Sequence, residues 1–135
     1  MKTGIICIVD DDTLIHYTFK KMLESGAPAK KILSFFDCGQ LYEYLRVHAQ
    51  NEKVLPDVIL LDLKTPIISG LKFLKQWAVL KPTITKHIVI YVVSSTLNKA
   101  DIAEAIADPN VSGYLPKPLR WADMRNMIAD ESESA

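Results

Sequence analysis

The sequence predicts an α/β fold in which a doubly wound, five-stranded parallel sheet carries helices on both faces. Two runs of successive apolar residues, 5–9 and 58–61, are typical of strands that are buried on both faces in the middle of a parallel sheet. Strand-like and helix-like segments alternate along the rest of the chain. This alternation favours right-handed β-α-β crossovers within one sheet, and no repeat or linker divides the chain.

The elements of the first half are separated by polar or proline-containing segments. After the first strand, apolar residues at helical spacing predict a helix over 13–24. Segment 31–36 mixes β-branched and aromatic residues and predicts a weaker strand. Asp37 is expected to cap a helix that ends near Val47, and Pro56 precedes the strand 58–61.

The second half continues the alternation after a loop at 65–70. The predicted elements are a helix over 71–80, a strand over 87–93, a helix containing 101–107, a strand over 111–115 and a helix over 119–129. The last residues, 130–135, are polar and are expected to fray. The prediction is therefore one domain over 1–135 with a core at about 4–129.

Composition and charge exclude several classes of protein. Sixteen basic and sixteen acidic residues cancel without forming a basic stripe, which argues against direct nucleic-acid binding. No apolar run approaches the length of a membrane span, and no signal peptide is evident. The two cysteines, Cys7 and Cys38, lack metal-ligand spacing. A cytoplasmic location is the expectation.

Three aspartates follow the two strongest strands. Asp10 and Asp11 end the first apolar run, and Asp62 ends the run at 58–61. Because the carboxyl ends of neighbouring parallel strands lie side by side, the three carboxylates are expected to share one crevice. Their mutual repulsion raises their pKa values unless a cation neutralises them. The sequence therefore predicts a divalent metal site that serves phosphate chemistry.

Two further signals follow the fourth and fifth predicted strands. Ser94 follows the fourth, and Lys117 followed by Pro118 comes after the fifth. Each signal alone is weak, because a serine after a strand is commonly a turn or cap residue and a lysine is commonly solvated. Together with the three aspartates, in this order, they form a specific joint pattern.

This pattern resembles the receiver domain of two-component response regulators over residues 4–129. Pro66 and Gly70 stand at the distances from Asp62 that this family shows. The resemblance implies a flavodoxin-like sheet with strand order 2-1-3-4-5, as in a chemotaxis regulator. It also implies that Asp62 accepts the phosphoryl group and that Mg²⁺ is held by Asp10, Asp11, Asp62 and the backbone carbonyl of Lys64.

The resemblance assigns the remaining roles as well. Lys117 would contact a phosphoryl oxygen, Ser94 and Tyr114 would act as the switch residues, and the peptide bond before Pro118 would be cis. The phosphodonor would be a histidine kinase or a histidine phosphotransfer protein. A downstream protein would bind the face formed by the fourth helix, fifth strand and fifth helix. The expected function is that of a stand-alone signalling phosphoacceptor, not an enzyme.

Several points remain open at the level of sequence. The Lys64 side chain either points into solvent or lies over the site, where it would compete with Mg²⁺. Thr65 is interpreted as a neutral loop change, and His16 as an exposed helix residue. Trp121 is either a partly exposed anchor for a partner or a core residue.

Two other classes of protein were compared with this interpretation. A haloacid-dehalogenase-like phosphatase needs a second aspartate two residues after the nucleophile, and Lys64 stands there. A degenerate receiver that serves only as a protein-interaction module is the alternative, and uptake of a phosphoryl group in the presence of Mg²⁺ would distinguish the two.

Overall fold

The structure of the chain, a computed structural model, describes residues 4–26 and 31–133. Strands and α-helices alternate along this part of the chain. The strands are β1 Ile5–Val9, β2 Lys31–Phe35, β3 Val58–Asp62, β4 Val89–Ser95 and β5 Val111–Lys117. The helices are α1 Thr13–Gly26, α2 Cys38–Val47, α3 Gly70–Leu80, α4 Lys99–Ile106 and α5 Trp121–Glu133, and a 3₁₀ turn at Lys81–Thr83 follows α3.

The five strands form one parallel sheet in the order β2-β1-β3-β4-β5, which confirms the predicted fold class. The register pairs Val9 with Leu61 across β1 and β3. Asp10, the next residue after Val9, therefore lies beside Asp62. The metal-site prediction depended on this alignment of strand ends.

The core lies on both faces of the sheet, as alternating side chains of buried strands require. On one face, Cys7 and Val9 of β1 belong to a cluster with Phe73 and Trp77 of α3. On the other face, Ile6 and Ile8 belong to a cluster that includes side chains of α1 and α5. Trp77 is 1% exposed and packs in the core.

Two strands end later than the sequence predicts. β4 begins at Val89 and continues through Ser95, and β5 continues through Lys117. The pairing of Ser94 with Pro116 and of Ser95 with Lys117 extends both strands past their apolar runs. Ser94 and Lys117 therefore lie within strands, not in the loops after them. Hydrogen bonding between the neighbouring strands β4 and β5 decided this, and it leaves no periodicity in the sequence.

The prediction of a frayed tail is wrong for the described part of that tail. Helix α5 continues to Glu133, and the side chain of Glu131 is buried. Its carboxylate accepts a hydrogen bond of 2.6 Å from the Tyr91 hydroxyl of β4. The hydroxyl of a buried tyrosine needs such a hydrogen-bond partner. This hydrogen bond therefore holds the last turns of α5 on the sheet. Residues 134 and 135 lie outside the described residues.

Among the described residues, none of the helices combines the length and the apolar character that crossing a membrane requires.

Candidate metal and phosphoryl site

The three predicted aspartates lie together at the carboxyl edge of the sheet. Asp10, Asp11 and Asp62 each offer a carboxylate oxygen, and these oxygens lie within 4.8 Å of one another. Asp10 and Asp62 are 1% and 3% exposed, whereas Asp11 faces solvent. The site is thus a shallow acidic pocket with a buried floor and one open side.

Lys117 supplies the positive charge of this pocket. Its Nζ lies 2.8 Å from Asp10 Oδ2 and 3.3 Å from Asp62 Oδ1. Burial lowers the pKa of Lys117, but the hydrogen bond to Asp10 and the charge of Asp62 outweigh burial and leave the pKa raised. The ammonium therefore stays protonated, and it bridges the ends of β1, β3 and β5.

The Asp62 carboxyl has a raised pKa. Burial is the largest cause and the charge of Asp10 adds to it, whereas Lys117 and the backbone N–H of Lys64 lower the pKa. That N–H donates to Asp62 Oδ1 over 3.2 Å. One ammonium cannot neutralise three carboxylates, so the pocket stabilises an additional cation.

The donor atoms of the pocket fit Mg²⁺. Within the described residues, Asp62 Oδ2 and the Asp11 carboxylate have no hydrogen-bond partner. Both oxygens of Asp10 are engaged, Oδ1 by the Asp12 N–H at 2.9 Å and Oδ2 by Lys117. Hard oxygen donors with unused lone pairs suit a magnesium ion, and Asp11 and Asp62 are the ones that are available.

Gly70 allows the loop after β3 to fold back on Asp62. A Cβ atom at this position would lie 2.7 Å from the Asp62 carbonyl oxygen and 2.8 Å from Leu63 Cα. Only glycine permits so close a backbone approach. The glycine that the sequence resemblance singled out therefore has a steric reason, namely the placement of the loop beside Asp62.

The interpretation of Thr65 as a neutral loop change is wrong. Thr65 is 6% exposed, and its hydroxyl donates to the Ile68 carbonyl over 2.7 Å. The same hydroxyl lies 3.2 Å from Cys38 Sγ at the start of α2. Thr65 thus ties the loop to α2, and the sequence does not show this contact because Cys38 is 27 residues away.

The same loop contains a strained residue that the sequence analysis missed. Ile67 has φ 66°, and the Ile68 N–H donates to the Pro66 carbonyl over 2.8 Å, which closes a γ-turn centred on Ile67. A β-branched side chain disfavours this backbone conformation. The Ile67 side chain is nevertheless 97% exposed beside the acidic pocket.

The two predicted switch residues are linked to each other and to α4. Ser94 is 1% exposed, and its Oγ accepts a hydrogen bond of 3.0 Å from the Asn98 side-chain amide. The Tyr114 hydroxyl donates to the Ser94 carbonyl over 3.0 Å. The Lys117–Pro118 peptide bond is cis. Asn98, which precedes α4, is a contact of the switch serine that the sequence analysis did not identify.

The Lys64 ammonium pairs with Asp101 of α4 at 2.8 Å. The side chain is 59% exposed, and it forms no ion pair with the carboxylates of the pocket. Of the two open alternatives, this geometry favours the one in which the ammonium lies away from the site. The Lys64 backbone N–H, by contrast, lies beside Asp62.

The expectation that His16 is exposed is wrong. His16 is 5% exposed, its Nε2 lies 2.8 Å from the Asp10 carbonyl oxygen, and its ring centroid lies 4.4 Å from that of Phe36. The sequence offers no side chain as a partner, and a backbone carbonyl leaves no signature in a sequence.

Trp121 is partly exposed, and the Arg125 guanidinium lies 5.9 Å from its ring centroid.

Known families and structures support the same interpretation. Residues 6–129 match the model of the response regulator receiver domain. A response regulator receiver protein from Dyadobacter fermentans is similar at 30% identity, with 95% of this chain and 97% of that chain covered and a TM-score of 0.75. A two-component response regulator from Cytophaga hutchinsonii has the same fold, with a TM-score of 0.83, 21% identity and coverage of 98% and 99%.

Curated relatives differ in how much of their length the chain spans. The probable methanogenesis regulatory protein FilR2 of Methanothrix harundinacea is 26% identical over 96% of this chain and 81% of its own length. The DNA-binding transcriptional regulator NtrC of Salmonella typhimurium is 31% identical over 88% of this chain, but over 23% of its own length. The chain thus spans less than a third of several relatives that carry further regions.

Proposed function

The chain belongs to the response regulator receiver domain family, and from this premise we propose that it accepts a phosphoryl group on Asp62 in a Mg²⁺-dependent reaction. The donor is a histidine kinase or a histidine phosphotransfer protein, and the modified receiver presents a changed surface to a partner. The observation that carries the proposal is the pocket in which three carboxylates within 4.8 Å face one ammonium. The cytoplasmic location and the stand-alone arrangement stay predictions.

The chemistry follows from the free oxygen of Asp62. Oδ2 attacks the phosphorus of a phosphohistidine, the P–N bond breaks, and a mixed anhydride forms while the imidazole nitrogen keeps the electron pair. Asp11, Asp62 and the Lys64 carbonyl would hold Mg²⁺, which offsets the charge of the phosphoryl oxygens when bound. Asp10 holds Lys117 in place, and Lys117 is available to a phosphoryl oxygen once Asp62 is phosphorylated.

The switch would run through Ser94. Its hydroxyl accepts from Asn98 in the structure, which leaves the hydroxyl hydrogen free to donate to a phosphoryl oxygen. Movement of Ser94 would break the hydrogen bond from Tyr114 to the Ser94 carbonyl and release the Tyr114 ring. A charge added at Asp62 thereby changes the surface at β5 and α4.

The proposed donor surface is an apolar rim around the pocket. The segment after each of the first four strands, counting the first turn of α1, exposes a large apolar side chain: Leu14 at 64%, Phe36 at 40%, Ile67 at 97% and Leu97 at 87%. Exposed apolar side chains that surround a polar pocket are typical of a protein-binding surface. A protein donor could bury this rim while its phosphohistidine enters the pocket.

The proposed downstream surface is the face of α4, β5 and α5. A groove of about 310 Å³ runs between β5 and α5, with Tyr114 and Asn126 among its lining residues. Tyr114 thus belongs both to this groove and to the contact with Ser94. This shared residue supports a coupling between the phosphoryl site and the partner surface.

Phosphoryl transfer tests the proposal directly. The wild type should take up radioactive phosphate from acetyl phosphate or from a phosphorylated histidine protein only with Mg²⁺ present. Asp62→Asn should take up none, whereas Asp101→Asn, a change of a neighbouring aspartate outside the pocket, should still be labelled. Full labelling of Asp62→Asn would contradict the assignment. A wild type that takes up no label from any donor would favour the phosphorylation-independent interaction module.

A further inference from the structure

We infer that His16 is a positioning residue for the acidic pair: its Nε2–H holds the Asp10 carbonyl and so fixes the turn that presents Asp11 to a metal ion. The inference rests on the proposed function, because it concerns Mg²⁺ binding at the same pocket. It concerns a side chain that the proposed mechanism does not use.

Every polar group of Asp10 has a partner, and His16 supplies one of them. The Asp10 N–H donates to the Phe35 carbonyl of β2 over 3.1 Å, and its two carboxylate oxygens are engaged by the Asp12 N–H and by Lys117. The remaining group, the carbonyl oxygen, lies 2.8 Å from His16 Nε2. Because Asp10 is 1% exposed, water cannot replace His16 as the donor.

The hydrogen bond connects Asp10, the residue after β1, to His16 in α1. Asp12 directly precedes α1 and caps its first turn, because its Oδ1 accepts from the Leu14 N–H at 2.8 Å and its carbonyl accepts from the Ile15 N–H at 3.1 Å. His16 lies one turn into α1 and reaches back six residues to Asp10. Asp11 therefore lies between two residues, Asp10 and Asp12, that are each held in place by hydrogen bonds.

Packing alone does not account for a histidine at this position. The ring lies against Phe36, and a purely apolar side chain would satisfy that contact equally well. Nδ1 is buried and has no hydrogen-bond partner among the described residues, so the imidazole carries an unsatisfied atom into the interior. What the imidazole adds over an apolar residue is the Nε2–H that Asp10 receives. A carbonyl has no hydrogen to give, so the proton of this bond must be on Nε2.

A pair of amide variants isolates that hydrogen bond. The Gln side chain can place an N–H near the position of Nε2, whereas the shorter Asn side chain reaches only the position of Nδ1. We expect His16→Gln to bind Mg²⁺ within about twofold of the wild type and His16→Asn to bind about tenfold more weakly, a loss typical of removed supporting contacts. Phe19→Leu, a change in the core beneath the same helix, serves as the stability control.

The measurements are a Mg²⁺ titration of each variant and ¹⁵N NMR of the His16 ring in the wild type. A role confined to packing would lower the melting temperature of both amide variants and leave the Mg²⁺ affinity of each unchanged, which would overturn the inference. A ring proton found on Nδ1 and absent from Nε2 would also overturn it, even where a variant does not fold. Asp11→Ala separates the two proposals: if its Mg²⁺ affinity equals that of the wild type, the metal site itself is wrong.

Discussion

Two partly buried lysine–aspartate ion pairs lie at opposite ends of the strands of the same sheet, and they differ in charge balance. At the amino edge, Lys86 Nζ lies 3.1 Å from Asp57 Oδ1 and donates to the carbonyls of Leu55 and Glu52. The second oxygen of Asp57 accepts the Ile5 N–H over 2.8 Å. At the carboxyl edge, Lys117 faces the three carboxylates of the acidic pocket.

The difference shows how a similar ion pair serves two purposes. The amino-edge pair has one charge of each sign and a partner for each charged atom, so it attaches the 52–57 segment to β1 and needs no ligand. The carboxyl-edge group has excess negative charge, and some of its carboxylate oxygens have no partner among the described residues, so its charge is balanced only by a further cation. Charge balance and unused donor atoms, more than burial, distinguish a structural pair from a binding site.

The largest expected effect tests this distinction by removing each ammonium in turn. Lys86→Met leaves the half-buried Asp57 carboxylate without a counter-charge and should lower the free energy of unfolding by about 2 kcal/mol, less than the loss for a fully buried pair. Lys117→Met should also destabilise the protein, but Mg²⁺ should restore much of that loss because the cation substitutes for the ammonium. Urea unfolding of both variants with and without Mg²⁺ provides the measurement. If Mg²⁺ raised the free energy of unfolding of the two variants equally, the two ion pairs would not differ in charge balance.

The second-largest expected effect concerns how the acidic pocket makes the stability of the protein depend on pH. The folded-state pKa of Asp62 is raised, chiefly by burial and then by Asp10. The contribution of this carboxyl to stability is therefore full below its unfolded pKa and is lost as the pH rises through the folded pKa. At neutral pH without Mg²⁺, Asp62→Asn should unfold about 4 °C higher, as a gain of about 1 kcal/mol implies.

The matched variant at the amino edge should behave in the opposite way. Asp57→Asn removes a balanced, hydrogen-bonded carboxylate and should lower the melting temperature at neutral pH. Thermal unfolding of both variants from acidic to neutral pH measures the contrast, and the advantage of Asp62→Asn should disappear at acidic pH. A destabilised Asp62→Asn at neutral pH would show that the pocket is not electrostatically incomplete.

The smallest expected effect concerns the exposed apolar side chains at the two edges. Ile67→Gly removes the strain of a positive φ but adds the backbone entropy that glycine loses on folding, so it should stabilise the protein by about 0.5 kcal/mol. It should also slow phosphoryl transfer from a protein donor several-fold and leave uptake from acetyl phosphate unchanged. Val79→Ala, at the other end of α3, should affect neither reaction. An unchanged protein-donor rate for Ile67→Gly would remove this residue from the proposed rim.

The aspartate cluster could be predicted from the sequence because strand ends are encoded locally. Apolar runs locate the ends of β1 and β3, and parallel pairing brings Asp10 and Asp62 together without further information. The joint pattern with Ser94, Lys117 and Pro118 was specific enough to indicate the family, and residues 6–129 match that family. The local backbone geometry of Ile67 was not predictable, because isoleucine is not a residue that signals a turn.

The fold class, the strand order implied by the family pattern and the residues of the acidic pocket were thus predictable from the amino-acid sequence. The folded structure was needed to show that His16 holds Asp10, that Lys64 pairs with Asp101 and that Glu131 holds α5 against Tyr91. The physical reason is the separation along the chain between the residues that interact. Periodicity and strand ends reflect burial and hydrogen bonding among near neighbours. The partner of a long polar side chain depends on crossovers and register, which place residues as far apart in the chain as Asp10 and Lys117 in contact.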